Sequence, residues 1–311
     1  MGRTFEAARF RQAARAVASL TIVLAAARAA HGKTQVHDGG LAASIFDVDT
    51  TVAGAGSVNT ARVQFDGLVT SSGPCGQNAA DAGARLQCLF GAMYHTAQIT
   101  AAGEPSTARE ASLSGALIGK RGSCAALAAV ALCLADRVGL PVEAVVFPHH
   151  VALALPGHSE LFELPDEGKA TTPAQMRARL GAEFGKSVRV PPKAYLPYYI
   201  ENLAVRVAED ADNVRAEKLF ELAVRVDSGN ARVRFDFGTF LLNDSRLPEA
   251  IEQLSKSVQL DFRNPDAWAN LGVAQVNSGD VRHARESFEH ALRLDPTHAL
   301  ARQNLAAIGA Q

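Results

Sequence analysis

Acidic and basic residues nearly cancel in this chain of 311 residues, 32 Asp and Glu against 31 Lys and Arg, so it lacks the basic excess of a nucleic-acid surface. It lacks a membrane-length apolar run near its start. The uncharged stretch Ala16 to Ala27 is twelve residues, short of the ~20 that a spanning helix takes. No Cys/His cluster has zinc spacing and no Gly-rich loop has phosphate-binding spacing. No metal or cofactor is therefore implied, and neither a nucleic-acid partner nor a membrane span in the mature chain is expected. Cysteine is scarce too: Cys75, Cys88, Cys124 and Cys133 are all there are. What remains is a globular composition, 48% apolar, of a length that suggests two domains.

The first thirty residues differ from the rest. Arg3, Arg9, Arg11 and Arg15 face one acid, Glu6; the uncharged stretch follows, and then Ala27-Arg28-Ala29 in small-x-small form. That order predicts a signal peptide over 1–30 and a periplasmic or secreted protein, the alternative being a cytoplasmic one with an amphipathic leader. In an oxidising compartment Cys75 and Cys88, 13 apart, can close a small loop. Cys124 and Cys133 share one helix, about 13 Å apart along its axis, and cannot bond each other.

Residues 31–72 are rich in Gly, Ala, Ser, Thr and Asp and read as a linker or N-terminal extension, with "ARVQFDGLVTSS" as a strand. From 73 the pattern turns helical: Leu86, Leu89, Phe90 and Met93 share a face. Ser123 is a candidate N-cap for a helix opened by Cys124, with Leu127, Ala131, Leu134 and Val138 as its stripe and Gly139 and Pro141 as its stop. "VEAVVF", "HVALAL" and "SELFEL" read as short strands. A helix followed by antiparallel strands predicts an α+β domain over 73–190.

From 194 to 311 the chain repeats itself every 34 residues. Ala216, Ala250 and Ala284 align, as do Phe220, Leu254 and Phe288; Leu203, Phe237 and Leu271; and Ala223, Ser257 and Ala291. Small residues recurring where helices approach, and large ones where they interlock, require a repeated helix pair. The pattern resembles the tetratricopeptide repeat in three copies, 197–230, 231–264 and 265–298. The third copy has the full set, with Trp268 as repeat core. The first departs at Ile200 and Ala204. The tail repeats Leu305 and Ala306 in phase and reads as a capping helix. Such repeats imply a protein or peptide in their groove.

The chemistry-bearing residues lie between these parts. A thiol at a helix start meets the positive end of the backbone dipole, which favours thiolate. An imidazole can take its proton and later protonate a leaving group, and a carboxylate or amide can fix the ring's tautomer. The order here is Cys124, His149 or His150, then Glu163. "RGSCAALAAVALCLADRVGLPVEAVVFPHH" resembles the transglutaminase-like superfamily, with a papain-like α+β fold. It is most similar to the bacterial SirB1-type proteins, where such a domain precedes tetratricopeptide repeats. The resemblance implies Cys124 as nucleophile and, because Pro148-His149-His150 fits Pro-x-His, His150 as base. Where the family tends to have aspartate before a proline this chain has Glu163, then Leu164 and Pro165, with Asp166 as a second candidate. His150 shares the strand face of Ala152 and Ala154, expected to turn toward the Cys124 helix, while His149 and His158 are expected at the surface.

Two classes of function follow. One is a thiol hydrolase or acyl-transferase acting on an amide, with repeats that dock a protein. The other is a non-catalytic binding module, or a scaffold of an exported assembly, whose function lies in the repeat groove.

Overall fold

The computed structural model describes residues 40–76, 81–103 and 107–309. The leader expected over 1–30 and the first part of the 31–72 extension lie outside the described residues. The rest of that extension is not a linker and holds no strand. It is helix α1 (Gly40–Ser72), broken at Gly54, where φ is 75° and a side chain would be strained. Its Val58, Ala61, Phe65 and Leu68, spaced three and four apart, are buried. Asp49, fully buried, accepts from Tyr199 Oη and from the Ser114 N–H at 2.6 Å, and the same tyrosine oxygen accepts from the Leu113 N–H at 2.8 Å. Helix α1 thus belongs to the core. Burial pushes the Asp49 carboxyl up to about 6, against the pull of its hydrogen bonds with Tyr199 and Ser114.

Next come α2 (Ala82–Phe90), a π-turn at Gly91–Thr96, and α3 (Leu113–Gly119). Two-residue strands β1 (Thr100–Ala101) and β2 (Arg121–Gly122) pair in parallel. Cys75 and Cys88 are disulfide-bonded. Helix α4 (Cys124–Arg137) is buried from Ala125 to Ala135 on every side, which is why its sequence is apolar all round rather than striped.

Strands β3 (Glu143–Phe147), β4 (His150–Ala154), β5 (Leu161–Glu163), β6 (Lys169–Thr171) and β7 (Val188–Val190) form an antiparallel sheet in the order β6-β5-β4-β3-β7. Its Val146, Val151, Leu153 and Phe162 join the main core with α4. Val145, Phe147, Ala152, Ala154 and Leu161 pack instead with Met176 of α5 (Pro173–Leu180), Leu180 and Phe184. The face of Ala152 and Ala154 is therefore turned away from α4, opposite to the expectation, because the bulkier Val151 and Leu153 fill the space against the helix.

The remainder is helix pairs: α6 (Leu196–Glu209) with α7 (Asn213–Val226), α8 (Ala231–Asn243) with α9 (Leu247–Leu260), and α10 (Pro265–Asn277) with α11 (Val281–Leu294), closed by α12 (Ala299–Gly309). Second helices start at 213, 247 and 281, which is the 34-residue period in the backbone. Ala216, Ala250 and Ala284 are all fully buried. A Cβ on Gly238 would come within 2.6 Å of Leu254 Cγ, and one on Gly272 within 2.5 Å of Phe288 Cε1. Those columns are small because the partner helix lies against them. Among the described residues no helix is long and apolar enough to cross a membrane.

Candidate active site

Ser123 caps α4 by accepting from the Ala126 N–H at 3.3 Å. That fixes Cys124 as the first helical residue, half-buried and reduced. A Cβ on Gly122 would stand 2.8 Å from Ala116 Cβ, so the chain can enter the helix this close to α3 only with glycine there. The next carbonyl, Ala125 O, accepts from buried Tyr195 Oη at 3.0 Å. Cys133, two and a half turns on, is buried, and burial pushes its thiol up, leaving it inert.

His150 opens β4, and its ring stands beside the Cys124 thiol despite the face it occupies. The contact is made at the ends of the two elements. Nε2 of His150 lies 2.9 Å from Glu163 Oε2. With that nitrogen committed to the carboxylate, Nδ1 is the one left for sulfur. Burial pulls the ring's pKa down, but hydrogen bonds to Cys124 and Glu163 and the charges of both raise it to about 9. His149 is the opposite case. Its side chain is 83% exposed, 4.0 Å from Glu183.

Glu163 is no edge charge. It is 2% exposed on a strand flanked by β4 and β6. Burial raises its pKa, while the hydrogen bond and charge of His150, then Arg179, bring it below the usual carboxylate range. Arg179, on α5, has its Nη2 2.5 Å from Glu163 Oε2 and 3.1 Å from His150 Nε2. Both donors converge on one carboxylate oxygen, and Oε1 is buried without a hydrogen-bond partner. The other acid considered, Asp166, is exposed and lies 3.9 Å from Arg179. Tyr94 Oη donates to Leu164 O at 2.7 Å, and Gln87 Nε2 to Gly168 O at 3.0 Å, so α2 and its π-turn brace the segment after Glu163.

The structure thus brings Cys124, His150 and Glu163 together and leaves His149, His158 and Asp166 at the surface. Two contributors carried no signal along the chain. Arg179 is 16 residues past Glu163. The requirement that a buried carboxylate be paired was the only hint. The second is the repeat array itself. A cavity of about 180 Å³ has Cys124 and His150 on one wall and Tyr198, Asn202, Arg232 and Asp236, from α6 and α8, on the other. Among the described residues no group of His, Cys, Asp and Glu could hold a metal ion.

Comparison with known proteins agrees with this division. Residues 61–209 match the transglutaminase-like superfamily, and residues 265–298 match the tetratricopeptide repeat. The first match begins inside α1 and ends with α6, wider than 73–190 at both ends and overlapping the first repeat. The chain is 32% identical over 96 residues to the type IV pilus assembly protein PilF of Pseudomonas aeruginosa, which covers 30% of this chain and 38% of that protein. It is 27% identical over 123 residues to the human protein O-mannosyl-transferase TMTC3, covering 39% of this chain and 13% of that protein. The chain therefore spans well under half of either relative. Similar solved structures include YrrB, a tetratricopeptide protein with an unusual peptide-binding site. It shares 25% identity at a TM-score of 0.33, over 35% of this chain and 56% of that one. Another is the second such domain of human RPAP3 with an HSP70 peptide, at 21% identity and a TM-score of 0.35, over 36% and 93%. The chain carries a transglutaminase-like domain followed by tetratricopeptide repeats.

Proposed function

We propose that this transglutaminase-like domain is a thiol hydrolase or acyl-transferase acting on an amide, in a protein or peptide that the repeats help to hold. The observation that carries the reading is the line Cys124, His150, Glu163, opening on a cavity large enough to admit a side chain. The Cys124 proton would pass to His150, whose raised pKa favours holding it, leaving a thiolate beside an imidazolium. The Cys124 thiolate would add to the amide carbon. The oxyanion so formed would meet the Cys124 N–H at the helix start, a donor of a kind worth roughly 3 kcal/mol in other enzymes. His150 would then give its proton to the departing amine, leaving a thioester and a neutral ring. Water or a second amine would attack the thioester, His150 taking back a proton as the thiolate leaves. Glu163 holds the ring throughout. The leader-like first thirty residues and the Cys75–Cys88 bridge support a place outside the cytoplasm, and the order of domains supports the SirB1-type resemblance.

One observation favours a second reading. The Glu163 oxygen that holds His150 also takes Arg179, whose charge beside the ring opposes the imidazolium. In that reading the site is a relic and the repeat groove is the function. Alkylation with iodoacetamide separates the two. An active site requires Cys124 to react at pH 7 well above the rate of a simple thiol, and His150→Ala to remove the excess. A Cys124 no faster than glutathione establishes the relic.

A further inference from the structure

We propose that Arg232, on the first helix of the second repeat, is a positioning residue for His150, so that the site is completed by the repeat array. The inference rests on the reading of Cys124 and His150 as the reacting pair.

The strands that carry His150 meet at a two-residue turn. Phe147, the last residue of β3, pairs with His150, the first of β4, and only Pro148 and His149 lie between. Such short hairpins are favoured when their first central residue has positive φ, because those turns match the twist of the strands. Proline cannot adopt positive φ, and neither Pro148 nor His149 is among the described residues that do. The turn that aims the catalytic ring is thus intrinsically a poor fit to its strands and needs an external hold.

Arg232 supplies that hold. Its Nη1 donates to Phe147 O and its Nη2 to Pro148 O, each at 2.5 Å. A planar guanidinium bridging two successive carbonyls fixes a peptide plane as well as a point, which an ammonium cannot do. The guanidinium is itself fixed from behind. Nε lies 3.5 Å from Glu201 Oε2 on α6 and 3.6 Å from Asp236 Oδ2 on α8. Glu201 is 3% exposed, a carboxylate that would not be buried there without the cation. Burial and then the charge of Glu201 push the Asp236 carboxyl well above an ordinary one, while the Arg232 charge pulls it back down. Two repeat helices thereby converge on one turn of the transglutaminase-like domain, two residues from the imidazole. Arg232 lies beyond the 61–209 span that matches the superfamily, so the hold comes from the appended repeats.

The test is the rate of Cys124 alkylation by iodoacetamide, measured against pH on the full chain. Arg232→Ala should lower the rate at pH 7 on the order of 10- to 100-fold, the usual penalty for a misplaced catalytic group. It should also move the acid limb of the profile upward, toward an ordinary thiol. Arg232→Lys keeps the charge beside Glu201 but cannot bridge both carbonyls, so it should fall between. A folded Arg232→Ala with the wild-type rate and profile overturns the proposal and leaves the Cys124–His150 reading intact. If Arg232→Ala does not fold, Arg232→Lys decides in its place, and a wild-type profile there overturns it equally. A wild-type protein whose Cys124 is no faster than a simple thiol removes both readings together.

Discussion

The transglutaminase-like region and the repeats are stabilised in opposite ways. In the repeats the interior is a lattice of small and large apolar side chains, each helix packing mainly on its neighbours, with charges spread over the surface as pairs such as Arg282–Glu286. In the region before them, polar groups are buried and tied across long stretches of chain: Asp49 to Ser114, Glu163 to His150 and Arg179, Tyr94 to Leu164. A lattice confines damage to one repeat, whereas a cross-tied site transmits it. Arg232 is where the two regimes meet, a repeat residue tied to the site like a member of the first region.

The largest effect should come from the site. His150→Ala should lower Cys124 alkylation at pH 7 by about 10²-fold or more, the scale of a lost acid–base partner, while His149→Ala leaves it unchanged. Reversal of the two, read in the same kinetics, would shift the imidazole's identity by one residue. The matching blow to the lattice is Phe288→Ala. This ring is fully buried against Gly272, so its loss should destabilise the third repeat by about 3–5 kcal/mol, measured by denaturant unfolding. Alkylation of Cys124 should be untouched, since nothing of the third repeat lines the cavity. Loss of labelling in folded Phe288→Ala would mean that the lattice does transmit, and the contrast between the regions would fail.

A smaller effect tests the cross-ties through pH. Asp49 titrates at about 6 when folded and near 4 when unfolded, so the folded state binds its proton more tightly. Its contribution is therefore fullest below pH 4 and declines as pH rises through 4 to 6, by up to about 3 kcal/mol. Asp49→Asn should flatten the slope of stability against pH over that window, whatever it does to stability at any one pH. Parallel slopes in urea titrations of the two proteins would show that the carboxyl is not the titrating group.

These contrasts also explain what could be read along the chain. The repeats were legible because a lattice writes its period into the sequence, down to Gly272 under Phe288. Cys124 and His150 were legible because helix start and strand start have local signatures, whereas the face His150 shares with Ala152 and Ala154 turns away from α4. Face alternation says which residues go together but not which side meets the helix. Helix α1 was misread because Gly, Ala, Thr and Asp suggest loops, although Val58, Ala61, Phe65 and Leu68 keep helical spacing. Arg179 and Arg232 were not legible, since each acts on a partner 16 or more residues away and nothing in its neighbourhood marks it.

The smallest effect is expected at Glu163, and it sharpens the comparison most. Arg179 claims the same Glu163 oxygen that binds His150. Glu163→Gln keeps an acceptor for the ring N–H and removes the negative charge. If orientation is what the residue supplies, alkylation should fall less than tenfold, under about 1.4 kcal/mol. His150 should still move, because the hydrogen bond and charge of Glu163 help raise its pKa to about 9. The imidazolium would then be lost at a lower pH, visible as a downward shift in its proton NMR titration. Glu163→Ala should cost more than Glu163→Gln, because it removes the acceptor and leaves Arg179 facing an unpartnered ring. Equal and large losses in the two variants would make the charge itself the essential feature. Equal and negligible losses, with His150 titrating unchanged, would remove Glu163 from the site and leave a two-residue Cys124–His150 pair held by the turn and by Arg232.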